Sequence, residues 1–261
     1  MATGDVEVYG QLRMDHTSGV LNIGDDITWY SGSSDIISSG TINIEGSWTF
    51  EDGTNCQIGP LNTVNFQYTP SIEDIAVLDS DAYFGSVVID HFIYVDGIST
   101  APVRIFGDLT VTSTGTLNTQ YESLIVDGVI DITDGGKIQL HQSSLGGSLE
   151  TYSDFTLNGE LDVGPGDALI HGEFDLAASG ELSIDGGSFI YDEGVSADPA
   201  NIRGTLNMTD GLYQASEYFR TGSTAVTNIS GGIIKVSQIK AEFAGTFQPT
   251  GGEVELYSDL I

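Results

Sequence analysis

The sequence predicts an all-β fold, a parallel β-solenoid of short strands and glycine-rich turns. A glycine followed by apolar residues at alternate positions recurs along the chain, as in Gly128 with Ile130 and Ile132. Such period-two alternation is typical of strands, and the glycines mark turns. Glycine is abundant at 34 residues while proline is scarce at 6, which fits many tight turns. No stretch keeps the 3.6-residue period of a helix through three turns.

The spacing of this glycine-headed frame favours a solenoid over other β folds. Its clearest heads are Gly107, Gly128, Gly159, Gly172 and Gly204, which are 21, 31, 13 and 32 residues apart. Repeats of about 20 to 30 residues with insertions suit stacked coils of two or three strands. An antiparallel sandwich also gives short strands, but it does not require similar strands to recur so often. The 13-residue step indicates that the heads do not all lie on one side of the coil.

The first part of the chain, residues 1–50, already carries short alternating segments. Alternation places Trp48 and Phe50 on one face of a strand. It also predicts that Trp29 points inward and Tyr30 outward.

The later segments differ in regularity. Residues 51–103 are less regular, residues 104–213 form the regular centre, and residues 214–261 resume the pattern. A loop of Asp, Gly, Ser and Pro type interrupts the centre at 192–199. The predicted core residues of the centre are Ile130, Ile132, Leu161, Val163, Phe174, Leu176, Leu206 and Met208.

The chain is strongly acidic. It has 38 Asp and Glu against 7 Lys and Arg, for a formal net charge of -31. Such a surface repels nucleic acid and anionic membranes and attracts divalent cations. A generally acidic surface and specific cation sites both remain open at this point.

The single cysteine and the chain ends add further expectations. Cys56 has no partner for an internal disulfide, and its alternating apolar context predicts a core residue. No apolar run approaches the roughly 20 residues of a membrane span, and the N-terminal residues do not form a signal peptide. We expect one β-solenoid domain over residues 1–261, a piece of a longer exported protein, with neighbouring coils or copies of itself stacked on its ends.

Two stretches resemble a known kind of repeat. Residues 247–256, FQPTGGEVEL, and more loosely residues 62–66 with 83–90 are similar to repeat regions of large secreted β-solenoid surface proteins of bacteria. Many of these proteins are exported by the type IX system of Bacteroidetes-like bacteria. The resemblance implies a right-handed parallel β-helix, secreted or at the cell surface, that acts as a stalk, adhesin or envelope component. It implies no catalytic residues.

No constellation of residues predicts an enzyme. The four histidines are not at metal-ligand spacing, and no serine has a nucleophile-elbow context. Some β-helices degrade polysaccharides, but lyases need basic residues, and carboxylate pairs for hydrolysis arise by chance among 38 acids. A structural or adhesive module is the main hypothesis, and a carbohydrate-binding or polysaccharide-degrading β-helix is the alternative. The stacking residues proposed for a glycan or cell-surface ligand are Tyr30, Tyr213, Tyr218 and Phe219.

Calcium is the one ion that the pattern suggests. Residues one and three positions after each glycine head point outward, so stacked frames would bring carboxylates about 4.8 Å apart. Like charges in that position are destabilising, and calcium, with its loose oxygen coordination, would relieve the repulsion. The alternative is that ordinary salt screens these groups. The predicted calcium ligands are Asp131, Glu160, Asp162, Glu173 and Asp175.

Overall fold

The structure, a computed structural model, describes residues 4–54, 56–67, 73–77, 82–95, 102–142, 145–192, 200–216, 219–236 and 241–256. These residues form an all-β fold in which parallel strands stack into a β-solenoid of about 10 turns. The predicted fold class is therefore confirmed. No helix in the described ranges is long and apolar enough to span a bilayer.

The described residues contain 33 strands. The first ten are β1 (Val6–Val8), β2 (Gln11–Ile23), β3 (Ile27–Trp29), β4 (Ser34–Ile44), β5 (Trp48–Phe50), β6 (Ile58–Phe66), β7 (Glu73–Val77), β8 (Ser86–Ile89), β9 (Phe92–Val95) and β10 (Val103–Ile105). The next eleven are β11 (Leu109–Val111), β12 (Thr116–Asn118), β13 (Ser123–Val126), β14 (Ile130–Ile132), β15 (Lys137–Gln139), β16 (His141–Gln142), β17 (Leu145–Gly146), β18 (Ser148–Thr151), β19 (Phe155–Leu157), β20 (Glu160–Gly164) and β21 (Asp167–Ile170). The last twelve are β22 (Phe174–Leu176), β23 (Glu181–Ile184), β24 (Ser188–Tyr191), β25 (Ala200–Ile202), β26 (Thr205–Met208), β27 (Leu212–Ala215), β28 (Phe219–Thr221), β29 (Val226–Ile229), β30 (Ile233–Val236), β31 (Ala241–Phe243), β32 (Thr246–Pro249) and β33 (Glu253–Leu256).

Three long parallel sheets form the walls of the solenoid. Sheet 1 has 12 strands in the order β1-β3-β5-β7-β9-β12-β15-β20-β23-β26-β29-β32. Sheet 2 has 11, in the order β2-β4-β6-β8-β11-β14-β19-β22-β25-β28-β31, and sheet 3 has 8, in the order β10-β13-β18-β21-β24-β27-β30-β33. From β8 onward the chain visits sheet 2, sheet 1 and sheet 3 in turn, so each coil has three sides. The antiparallel hairpin β16–β17 is an insertion within one coil, between β15 of sheet 1 and β18 of sheet 3.

The first coils are built differently, which explains the irregular pattern before residue 103. Strands β2, β4 and β6 have 13, 11 and 9 residues, and the pairing of β2 with β4 and of β4 with β6 contains register shifts. Isolated bridges from Gln57 to Tyr83 and from Phe84 to Ile105 lead onward to sheet 3. The long strands therefore bend and occupy the side that sheet 3 takes in later coils.

The core is a continuous column of inward side chains. All eight predicted core residues are at most 1% exposed, which confirms the alternation. Trp29, Trp48, Phe50 and Cys56 are buried as predicted. Burial of each large apolar side chain contributes about 1.5–3 kcal/mol. The inside of the described solenoid is therefore packed with side chains.

The glycine heads lie at the corners where successive coils touch. Gly107, Gly128 and Gly172 lead into strands of sheet 2, whereas Gly159 and Gly204 lead into strands of sheet 1. The prediction that the heads lie on different sides is thereby confirmed.

Candidate binding surface

Four of the five predicted calcium ligands lie on strands of two sheets, and Glu173 directly precedes β22 of sheet 2. Asp131 and Asp175 point outward from sheet 2, and Thr156 of β19 stands between them. Glu160 and Asp162 lie on β20 of sheet 1, with Gln139 and Ser183 on either side of Asp162. The structure therefore does not bring the five carboxylates together around one point.

Basic side chains of the same chain neighbour several of these acids. Lys137 Nζ is 2.6 Å from a Glu160 oxygen and 3.8 Å from an Asp162 oxygen. Arg203 Nε donates to Asp175 at 3.2 Å. Directly opposed carboxylates do occur where Glu160 pairs with Glu181 of β23. Lys137 and Arg203 therefore offset part of the expected repulsion, and calcium binding stays a prediction.

A separate group of acids lies near the N-terminal end. Carboxylate oxygens of Asp5, Asp25 and Asp26 lie within 4.8 Å of one another. Desolvation and the neighbouring carboxylates of Asp26 and Asp5 raise the pKa of Asp25. Asp26 also accepts a hydrogen bond from the backbone N–H of Ser47 at 2.7 Å. The frame-based prediction missed this group because it combines residues from different turns.

Two of the four stacking residues chosen from sequence are wrong. Tyr213 and Phe219 are fully buried. Tyr213 stacks on Phe189 with 5.4 Å between ring centroids because both occupy inward strand positions. Burial also raises the pKa of Tyr213. Tyr218 lies outside the described residues.

Tyr30 does lie at the surface, where its ring stacks on Tyr9 at 4.4 Å. Its hydroxyl donates to Glu7 at 3.2 Å.

A different group of exposed rings lies where sheet 3 turns into sheet 2. Successive coils place one side chain each at this position, and backbone hydrogen bonds keep them in register: Asp127 N–H donates to Ile105, and Tyr152 N–H donates to Val126. Neighbouring coils are about 4.8 Å apart. We call this group the aromatic corner; it comprises Phe106, Asp127, Tyr152 and His171, with Tyr83, Arg104 and Glu150 beside them.

The rings of the aromatic corner contact one another and also face solvent. Phe106 is 38% exposed and Tyr152 is 52% exposed. Tyr83 packs edge-on against Phe106 at 4.4 Å, and Tyr152 stacks on His171 at 4.9 Å. The Arg104 guanidinium lies 4.5 Å from the centroid of the Phe106 ring. These contacts restrict the rings while leaving apolar surface accessible.

The charged groups of the corner are paired within it. Arg104 donates from Nε and Nη2 to the two oxygens of Asp127, at 3.1 and 3.3 Å. Tyr152 donates to Glu150 Oε1 at 2.6 Å, and His171 Nε2 is 3.3 Å from the same oxygen. The hydrogen bond to Glu150 raises the pKa of Tyr152. The corner therefore combines exposed rings with preoriented polar groups.

An apolar strip on the outer face of sheet 3 adjoins the corner. Leu169 and Ile190 face outward in register on neighbouring coils. Leu212 and Ile233 do the same on the next two coils, two residues earlier along the strand, in register with Ser188. All four are half-buried although they point away from the core. We call these four residues the apolar strip. Together with the corner it gives sheet 3 a less polar outer face than strict alternation predicts.

The aromatic corner can be recognised by comparing the residues that successive coils place at the same position. Neighbouring coils place Asp127, Asp192 and Ser216 at the position that Tyr152 and His171 occupy. Turns favour small polar residues, so rings there are unusual. These equivalent positions can be identified only when the coils are aligned with one another.

Comparison with known proteins adds no functional information. No protein-family profile, characterised protein or solved structure matches this sequence.

Proposed function

We propose that the protein is a structural module, an extracellular β-solenoid of a bacterial surface protein that serves as a stalk, fibre or envelope component. The continuous three-sheet wall around a filled core is the observation that carries the proposal. Each coil of such a solenoid contacts only its neighbouring coils, so the protein can extend over a long distance at a uniform cross-section. The extracellular location rests on the resemblance of residues 247–256 to bacterial surface repeats.

The test of this function combines location with mechanics. Antibodies against the folded module should label intact cells of the bacterium that makes the protein. The module pulled between its two ends should resist force and then lengthen in coil-sized steps. Labelling only after the cells are opened, or release of reducing ends from a polysaccharide by the purified chain, would contradict a purely structural surface role.

Adhesion is the second candidate, and the aromatic corner favours it. A stalk needs no exposed rings, yet Phe106 and Tyr152 are both accessible. Exposed apolar patches with polar borders commonly mark interaction sites. The purified chain should then bind fixed cells or cell-wall material, and the double variant Phe106→Ala/Tyr152→Ala should bind less. Equal binding by the variant would argue against adhesion through this corner.

A further inference from the structure

We propose that the aromatic corner and the apolar strip bind a neutral β-1,4-linked glycan whose chain runs along the solenoid axis. This inference rests on the adhesive function proposed above and specifies its ligand.

The chemistry of the exposed surface suits a sugar. Pyranose rings carry C–H-rich faces that pack against aromatic and aliphatic side chains, and hydroxyl groups that need hydrogen-bonding partners. Phe106 and Tyr152 offer ring surface, and the half-buried Leu169 and Ile190 extend it across the next coils. Glu150 and the Tyr152 hydroxyl lie at the edge of that surface. A sugar can use both kinds of contact here at once.

The charge of the protein favours a neutral ligand. The net charge of -31 repels an anionic glycan and equally a second copy of this chain. A cationic peptide would fit the overall charge, but both oxygens of Asp127 already accept from Arg104. Glu150 is likewise engaged by Tyr152 and lies close to His171. An uncharged ligand can bind without breaking the Arg104–Asp127 ion pair or the hydrogen bonds to Glu150.

The spacing of the exposed rings along the solenoid axis favours an extended glycan chain. Phe106 and Tyr152 lie two coils apart, with Asp127 between them, a separation of about 9.6 Å along the axis. This is close to the length of one disaccharide unit in an extended β-1,4-linked glycan. One disaccharide unit of such a chain therefore spans the distance between the two rings, whereas a coiled α-1,4-linked glycan does not match this spacing.

The experiment measures binding of the full chain to defined oligosaccharides by calorimetry. Cellohexaose, chitohexaose and xylohexaose are the β-1,4-linked probes, and maltohexaose is the α-1,4-linked control for shape. Polygalacturonate and oligolysine represent anionic and cationic occupants. We expect at least one β-1,4-linked probe to bind, with affinity nearly independent of ionic strength, and maltohexaose to bind more weakly.

The variants locate the binding surface. Phe106→Ala/Tyr152→Ala should weaken binding by about tenfold or more, because two ring contacts are lost. Tyr152→Phe keeps the ring and should retain most of the affinity. Tyr121→Ala is the matched control, since Tyr121 is also exposed, at 46%, but lies in another turn. Melting temperatures close to that of the wild type would show that each variant is folded.

Several outcomes would overturn the inference. Absence of binding to every β-1,4-linked probe, stronger binding to polygalacturonate or oligolysine, or undiminished binding by the double variant would each do so. Binding to fixed cells distinguishes this failure from that of the adhesive function. If the protein binds cells through the aromatic corner but binds no neutral probe, the proposed ligand class is wrong and the adhesive function stands. If it binds neither cells nor neutral probes, both proposals fail.

Discussion

At the scale of single residues, Gly128 shows why a glycine heads each repeating frame. A Cβ atom at this position would lie 2.3 Å from the carbonyl oxygen of Gly107 on the preceding coil. The backbone of Gly128 is not in the left-handed region. The glycine is therefore required by the close approach of two backbones, and conformational freedom is not the reason.

We expect Gly128→Ala to lower the free energy of unfolding by about 1–3 kcal/mol, the usual cost of overpacking. The two atoms nearest to the added methyl group belong to the Gly107 backbone, so the two coils must separate locally. Urea unfolding followed by circular dichroism measures the change.

Gly10→Ala is the control for this substitution, because no atom lies within 4 Å of a Cβ built at Gly10. Its effect should stay within about 0.5 kcal/mol. Equal destabilisation by the two variants would show that coil contact does not explain the glycine head.

Strand alternation predicts the inward positions, whereas residue type alone does not predict which aromatic rings are exposed. Alternation correctly placed Trp48 and Met208 inside. The same rule, applied consistently, would have placed Tyr213 inside, since it alternates with Ala215 in β27. Residue type alone does not distinguish Tyr213, a core ring, from an exposed stacking residue.

At the scale of the element, one coil is the structural unit, and residues 107–127 define one. They contain β11, β12 and β13, one strand for each sheet. The N–H of Gly128 donates to the carbonyl of Gly107 at 3.2 Å, so the two ends of the coil are stacked neighbours. Removing the coil would let Phe106 continue directly into Gly128 at an equivalent position.

We expect deletion of residues 107–127 to leave a folded solenoid one coil shorter. Sheet 2 can reclose by pairing β8 with β14, because Val87 and Ile130 both pair with Leu109 at present. The free energy of unfolding should fall by roughly one coil's share of the total. Thermal unfolding and the far-ultraviolet circular dichroism per residue measure the outcome.

Deletion of residues 107–116 alone is the contrasting variant. It removes about half a coil and moves inward residues out of register, so the protein should not fold. If both deletions behave alike, the coil is not the unit of stability.

At the scale of the whole molecule, the charge of -31 is spread over faces where some acids have basic neighbours. Lys137 and Arg203 each lie beside carboxylates of adjacent coils. Glu160 and Glu181 still oppose each other directly. The remaining excess of acids produces a diffuse repulsion that any salt would screen.

We predict that calcium stabilises the protein more than magnesium does at matched ionic strength, because calcium accepts carboxylate oxygens in looser geometry. At ten times its Kd, calcium would contribute about 1.4 kcal/mol, or roughly 3 °C for a chain of this size. Melting curves with calcium, magnesium and chelator measure the difference. Glu181→Gln should reduce the calcium-specific part, since it removes one of two opposed carboxylates.

Coincident melting curves in the three conditions would mean that Asp131, Glu160, Asp162, Glu173 and Asp175 are a solvated acidic surface. The calcium prediction would then be abandoned. The structural role proposed for the solenoid would be unaffected, because its described core is built from inward apolar side chains.

The sequence by itself determined the fold class and the inward residues. Alternation and glycine turns are local properties, so Ile130, Leu161 and Phe174 could be assigned to the core without knowledge of their neighbours. Only the tertiary structure decided which outward residues meet. The coils differ in length because of insertions such as the β16–β17 hairpin, and stacking depends on the summed length of each coil. Lys137 beside Glu160 and Tyr152 beside His171 are therefore consequences of register, which the local pattern does not encode.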